Sequence, residues 1–324
     1  MFRQFDINKL VIVFGGSGFV GRHVVRALAK RGYRIRVAVR RPELAGHLQP
    51  LGRVGQIHAV QANVRHPGSV EAALRDADAA VNLVGVLFQR GRQRFEAVHT
   101  GGAAAVAQAA AAAGLPLVHV SALGADENSP SLYARSKAAG EKAVLTAKPD
   151  ATILRPSVMF GPEDTFFNRF AAMARLSPVL PLIGGGLTRF QPVFVGDTAL
   201  AVAAALDGQT KPGTIYELGG PEIRTFKELM QYMLGVIGRR RLLLPIPFPL
   251  ATAMAGFTGL LPKPPLTADQ VELLKRDNIV SAEALAEGRT LAALGIDPVA
   301  MEVVVPSYLW RYRKAGQFSN RLAG

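Results

Sequence analysis

The chain contains no cysteine in its 324 residues. That excludes a disulfide framework, thiolate zinc and iron–sulfur sites, and a cysteine nucleophile. Any site must therefore be built from oxygen, nitrogen and backbone groups. Acid is scarce too, with 24 Asp+Glu against 38 Lys+Arg and a net charge of +14. Aromatics are 7% of residues, with one tryptophan, and no nucleic-acid-binding signature accompanies the scattered cations, whose longest run is Arg239–Arg241. The charge therefore points away from nucleic acid, toward an anionic membrane face, an acidic protein partner or a phosphorylated cofactor. No apolar run reaches the roughly 18 residues a membrane span requires. The nearest, residues 248–261, carries Gly and Thr and is flanked by Pro262, so it reads as a buried or interfacial helix. Met1–Lys9 is polar, and Leu10–Phe14 is too short for a secretory core. The expectation is a soluble or peripheral protein.

Hydrophobic residues make up 49% of the chain and charged ones 19%, ample for a packed core and incompatible with global disorder. Length suggests about two domains. Short apolar runs at Leu10–Phe14, Tyr33–Val39, Ile57–Gln61, Ala79–Val84, Leu115–Val120 and Thr152–Leu154 alternate with helical stretches, among them the Ala-rich Gly102–Ala113. Such alternation predicts βαβ units: an α/β fold, with a Rossmann-type doubly wound parallel sheet. After Pro156 the rhythm changes. Gly, Pro and short helices intrude, as in Pro178–Gly186 and Pro245–Pro249, which predicts a smaller C-terminal α/β lobe. The boundary falls between residues 1–155 and 156–324, with later returns to the sheet near 190–220. The polar tail Phe318–Gly324 reads as frayed.

Gly15, Gly16, Ser17, Gly18, Phe19, Val20 and Gly21 follow the first strand and open the first helix. Glycines there allow a sharp turn, close approach to a pyrophosphate and tight helix–strand packing, while the helix N-terminus offers free N–H groups. At the end of the second strand, where an acid would take the ribose 2′-OH of NAD, stand Arg40 and Arg41, with no acid before Glu43. Paired guanidiniums match a 2′-phosphate, favouring NADPH over NAD.

Tyr133 and Lys137 lie four apart on a helical stretch, hence on one face. A neighbouring ammonium stabilises phenolate and makes the tyrosine a usable proton donor and acceptor. Ser121 ends the fifth strand at the carboxyl edge, where it could polarise a carbonyl. His23, His47, His58, His66, His99 and His119 show no metal-ligand spacing, so no metal site is expected. Glu163 and Asp164 read as an acid pair at a helix N-terminus or as substrate ligands. Arg239–Arg241 with Leu242–Leu244 is either a solvated helix end or a docking patch.

Jointly, the glycine loop, Asn63-Val64, Asn82-Leu83-Val84-Gly85, Ser121, Tyr133/Lys137, the run Leu154–Pro162 and the run Phe190–Ala199 resemble a short-chain dehydrogenase/reductase of the extended or atypical type, over nearly the whole chain. The resemblance implies Ser121, Tyr133 and Lys137 as catalytic residues. It implies nucleotide contacts from Gly15, Ser17, Gly18, Phe19, Val20, Gly21, Arg40, Arg41, Asn63, Val64, Val84, Gly85, Tyr133, Lys137, Pro156 and Val158, making residues 1–155 an NADP(H)-binding domain and the lobe a surface for substrate or partner. Many relatives carry Asp where this chain has Asn63, whose carbonyl can still accept from the adenine amino group. Within the family, Tyr133–Lys142, Phe160–Phe167 and Leu266–Leu274 are similar to the NADPH-binding accessory subunit of respiratory complex I. That branch implies a tightly held structural nucleotide and a place on the peripheral arm, on the cytoplasmic face of a bacterial inner membrane or the equivalent matrix side. The intact Ser/Tyr/Lys set keeps a second expectation open: an active NAD(P)H-dependent oxidoreductase or epimerase, linked to ubiquinone biosynthesis.

Overall fold

The computed structural model describes residues 9–258 and 266–314. The chain opens with β1 (Leu10–Phe14), α1 (Phe19–Lys30), β2 (Arg34–Val39), β3 (Ile57–Gln61) and α2 (Pro67–Leu74). There follow β4 (Ala79–Asn82), α3 (Gly101–Ala112), β5 (Leu117–Val120), α4 (Leu132–Ala147) and β6 (Thr152–Pro156). Every residue of β1 is buried, as expected of a central parallel strand covered on both faces. Next come β7 (Met159–Phe160), α5 (Phe167–Leu176), β8 (Val179–Ile183), β9 (Arg189–Phe190), β10 (Val193–Phe194), α6 (Val195–Leu206) and β11 (Ile215–Leu218). The last elements are β12 (Arg224–Thr225), α7 (Phe226–Val236), β13 (Leu242–Ile246), α8 (Phe248–Thr258), α9 (Ala268–Leu273), α10 (Ala282–Ala286) and α11 (Met301–Leu309).

Among the described residues, seven strands form one parallel sheet in the order β11-β6-β5-β4-β1-β2-β3. The strand order reverses between β1 and β4, and the crevice at their carboxyl ends is where such sheets bind ligands. The chain divides into two units. The first holds the described residues up to Pro156, with Val195–Leu218 and Ser281–Asp297; the second holds Ser157–Phe194 and the described residues of Gly219–Val280 and 298–314. Ser281–Asp297 joins the sheet edge through Glu217, whose N–H donates to Arg289 O and whose Oε2 accepts from Ser281 N.

Small residues set how closely α3 and α4 approach. Ala103, Val106, Ala107 and Ala110 of α3 pack into the cluster that contains Ile12, Phe14 and Leu117. On α4, a Cβ at Gly140 would overlap the carbonyl oxygen of His99, so only glycine permits that contact. Arg155 at the end of β6 grips α4 from the other side, with Nε and Nη2 donating to the two oxygens of Glu141 at 2.9 and 2.6 Å. Glu217 of β11 lies 3.6 Å from the same guanidinium. The buried Glu141 carboxylate is thereby paired bidentately, the arrangement that makes a buried charge tolerable.

In the second unit, β8 and β13 form a five-residue parallel ladder, Val179↔Leu242 through Ile183↔Ile246. The sequence marked Pro178–Gly186 and Pro245–Pro249 only by their Gly, Pro and short helices, and the ladder takes residues from both. Pro181 and Pro245 remove N–H donors, which a two-stranded pair tolerates because each strand has an open edge. Asp164 does sit at a helix N-terminus, where its Oδ1 accepts from Asn168 N in the first turn of α5, and it is buried there. It is 3% exposed and accepts from Tyr308 OH, Gly161 N and Asn168 N, tying the turn before α5 to α11. Burial pushes its carboxyl above the usual range, against those hydrogen bonds. α8 is not wholly buried: Ala251 and Ala255 pack on Ile183, Ile246 and Val271, while Leu250 and Met254 stand exposed. Residues 259–261 and 318–324, included in the sequence readings, lie outside the described residues.

Candidate functional site

The glycine loop hangs between three strands. Gly15 has φ +79°, and its N–H donates to Ala38 O of β2 at 3.1 Å. Leu83 N donates to Phe14 O at 3.0 Å, so the chain leaving β4 runs beside the loop. A Cβ on Gly15 would sit 3.3 Å from both Leu83 C and Val84 Cγ2. Gly18 is the N-cap of α1, which has no side-chain cap. The N–H groups of Phe19, Val20 and Gly21 in the first turn thus lack partners within the helix and carry its positive dipole end.

Two glycines of this loop differ in what requires them. A Cβ on Gly21 would overlap the backbone of Gly16, so packing demands that glycine. Gly18 is exposed, and a Cβ there would meet nothing closer than Gly15 O at 3.4 Å. The fold alone tolerates a side chain at 18, and its omission keeps open the space before the helix end, which suits a pyrophosphate. Ser17 is half-buried in the same turn. Arg40 and Arg41 are exposed just past β2 and form no ion pair among the described residues.

Asn63 and Val64 make contacts of their own. Asn63 Oδ1, the acceptor assigned to an adenine amino group, accepts from Arg65 N at 3.2 Å and Arg65 Nε at 3.4 Å. Val64 is 7% exposed and packs in the core against Gly102. Pro156 closes β6 in the first unit, its carbonyl accepting from Leu123 N. Val158 belongs to the second unit, where its N–H donates to Asn278 Oδ1.

Lys137 lies on α4, capped by Ser131, whose hydroxyl accepts from Ala134 N. The residue is 6% exposed, and its ammonium donates to Val120 O at 3.3 Å, its one hydrogen bond among the described residues. Burial lowers its pKa to about 8, against the pull of Glu141. Ser121, the next residue along, is 5% exposed with no hydrogen-bond partner for its Oγ. Two under-satisfied polar groups therefore stand side by side at the carboxyl end of β5. Such groups call for a polar partner. Gly85 closes the same space: a Cβ there would lie 3.6 Å from Lys137 Nζ and 3.7 Å from His99 Nε2. The glycine cradle, the open arginine pair and these orphaned donors fit a nicotinamide dinucleotide.

Sequence reasoning dismissed two histidines that the structure brings to this place. A single π-type turn, Glu96–Thr100, precedes α3 and carries His99. Its ring stacks on Phe95 at 5.3 Å and meets Tyr133 edge-on at 5.4 Å. Nε2 accepts from Val86 N at 3.0 Å, so Nδ1 carries the proton and donates to Ser136 Oγ at 2.8 Å; that hydroxyl donates on to Tyr133 O at 2.8 Å. His119 of β5 sits opposite Asn82, whose Nδ2 is 3.1 Å from its Nδ1 while Asn82 Oδ1 accepts from Val84 N. Burial first, then the Lys137 charge, pushes both imidazoles down to about 3. Both are neutral props for the loops around Lys137. Nothing in spacing marks them, because their partners lie 13 to 37 residues away.

Residues 11–219 match the model of the NAD dependent epimerase/dehydratase family. The chain belongs to that family. This member is 37% identical to the NADH dehydrogenase [ubiquinone] 1 alpha subcomplex subunit 9, mitochondrial, of Arabidopsis thaliana, over 94% of the chain and 78% of that protein. It is 34% identical to a ceramide reductase of Caulobacter vibrioides, over 87% of the chain and 90% of the relative. Among solved structures, an NADPH-dependent quinone oxidoreductase of Escherichia coli complexed with NADPH superposes with a TM-score of 0.71 over 92% of this chain and 99% of that one, at 21% identity. At that identity the likeness concerns the fold.

Two outcomes test this geometry. Below pH 6.5 the unfolded chain binds protons at His99 and His119 that the folded chain excludes, so stability falls as pH drops from 6.5 toward 3. Each imidazole contributes up to about 1.4 kcal/mol per pH unit. In urea unfolding between pH 6.5 and 5, His119→Gln should show a shallower dependence than wild type, and an unchanged slope would place the titration elsewhere. In thermal melts, Gly21→Ala should lower stability without ligand, whereas Gly18→Val should melt like wild type alone and lose the rise given by a saturating dinucleotide, about 2.7 kcal/mol at a hundredfold excess over Kd. A wild-type response from Gly18→Val would move the pyrophosphate away from α1.

Proposed function

We propose that the protein is an NADPH-holding accessory subunit of respiratory complex I, seated on the peripheral arm at the cytoplasmic face of a bacterial inner membrane or the equivalent matrix side. The observation that carries this reading is the 37% identity to the plant complex I subunit 9 over 94% of the chain. The rat protein of the same name supports it at 33% identity over 93% of the chain. Arg40 and Arg41 support NADPH over NADH, since no acid stands at the end of β2 and both guanidiniums are open to a 2′-phosphate. Gly15, Gly18 and the first turn of α1 would hold the pyrophosphate. Lys137 would bond the nicotinamide ribose beside Tyr133.

The catalytic set favours a second reading, an NAD(P)H-dependent reductase or epimerase. A bound nicotinamide supplies or accepts a hydride. Ser121 Oγ could donate to a substrate oxygen, and Tyr133 could hand it a proton with Lys137 holding the phenolate. The Caulobacter relative, a ceramide reductase, supports this alternative.

Membranes carrying each variant separate the two. Under the accessory reading, Tyr133→Phe leaves the yield of assembled complex unchanged, while Lys137→Ala loosens NADPH and lowers that yield. Loss of a measurable NADPH-dependent reduction in Tyr133→Phe alone, with assembly normal and the protein fractionating apart from the complex, establishes the enzyme instead.

A further inference from the structure

Three stretches of the second unit are clamped together by four hydrogen bonds. Arg241 Nε donates to Ala174 O at 2.7 Å, and Leu242 N to Pro178 O at 3.0 Å. Arg239 Nε donates to Tyr312 O and Arg313 Nε to Val236 O, both at 2.9 Å. The bonds gather Arg175, Arg239–Arg241, Arg311, Arg313 and Lys314 onto residues 174–178, 236–244 and 310–314, which contain no Asp or Glu. None of these cations pairs with a carboxylate among the described residues. The guanidiniums of Arg239, Arg241, Arg311 and Arg313 instead bond main-chain carbonyls and Asn168, leaving the charge uncompensated.

Apolar side chains stand among those charges. Leu176 is 91% exposed, Leu242 63% and Leu244 46%, and Trp310, the chain's one tryptophan, is 39% exposed. The strand pleat of β13 explains the pattern: Leu243 packs against the lobe's core while Leu242 and Leu244 project away from it. Cations alone would suit any polyanion. Leucines and a tryptophan projecting between unpaired arginines suit a boundary between phosphate headgroups and acyl chains. No helix among the described residues is long and apolar enough to cross a membrane, so the contact is superficial.

We infer that this face docks on an anionic phospholipid surface, with the arginines on headgroup phosphates and Leu176, Leu242, Leu244 and Trp310 seated in the interface. The inference deepens the peripheral placement proposed above and takes its setting from it. Its test needs the purified full chain and no assembled complex, so the two readings fail separately.

Trp310 reports the contact directly, because its emission is the chain's only indole signal. Vesicles of equal parts phosphatidylglycerol and phosphatidylcholine should sediment the protein and shift that emission to the blue, whereas phosphatidylcholine alone should do neither. Arg175→Glu with Arg240→Glu should weaken partition more than about tenfold. Leu242→Ser with Leu244→Ser, both at exposed positions, should weaken it and reduce the blue shift while thermal melting stays at the wild-type value. Binding with no change in Trp310 emission overturns the inference, as does equal binding to neutral vesicles. Capture by polyphosphate or RNA that the leucine variant leaves intact, with no vesicle binding, identifies a polyanion site and also overturns it.

Discussion

One buried ammonium organises the first unit. Lys137 is almost wholly removed from water beside the carboxyl end of β5, with a single long hydrogen bond to Val120 O among the described residues. Burying a cation on such terms is unfavourable, and its pKa falls to about 8 as a result. A fold selected for stability alone would place an apolar side chain there. The adjacent Ser121 hydroxyl, buried and unpartnered, repeats the same imbalance one residue further on. Both are resolved if a polar ligand completes them at the carboxyl end of β5.

The surroundings follow from holding that charge in place. Glu141, one turn further along α4, is committed to Arg155 and supplies no direct contact to Lys137. His99 and His119 must stay neutral next to the ammonium, and each is locked by its own network into one tautomer. His99 reaches its position through the π-type turn before α3, which the close approach at Gly140 then braces. Sheet, helix pair and histidines thus form a pre-set frame, with little that must rearrange for a ligand to bind.

Local signals and long-range ones differed in how far the sequence revealed them. The β1–glycine loop–α1 unit and the Tyr133/Lys137 face were legible because strand, turn and helix signals are contiguous, and their chemistry depends on spacing of four residues or fewer. The parallel sheet was legible from the alternation of buried runs. His99 and His119 were missed because an isolated histidine carries no period, and its partner in each case lies on another element. Asp164 was legible as a helix-start acid, but its burial was not, because Tyr308, which bonds it, lies 144 residues on. The β8–β13 ladder was hidden by Pro181 and Pro245, which count against a strand until its open edge is seen. The local bond from Arg65 N to Asn63 Oδ1 carries no sequence signal either.

The nucleotide carried by the protein tests the central claim most directly. Purified without added cofactor and denatured, the protein should release stoichiometric NADP(H), and Lys137→Ala should release much less. Release of NAD(H) in place of NADP(H), or an undiminished yield from Lys137→Ala, would contradict a structural NADPH held by Arg40, Arg41 and the buried ammonium.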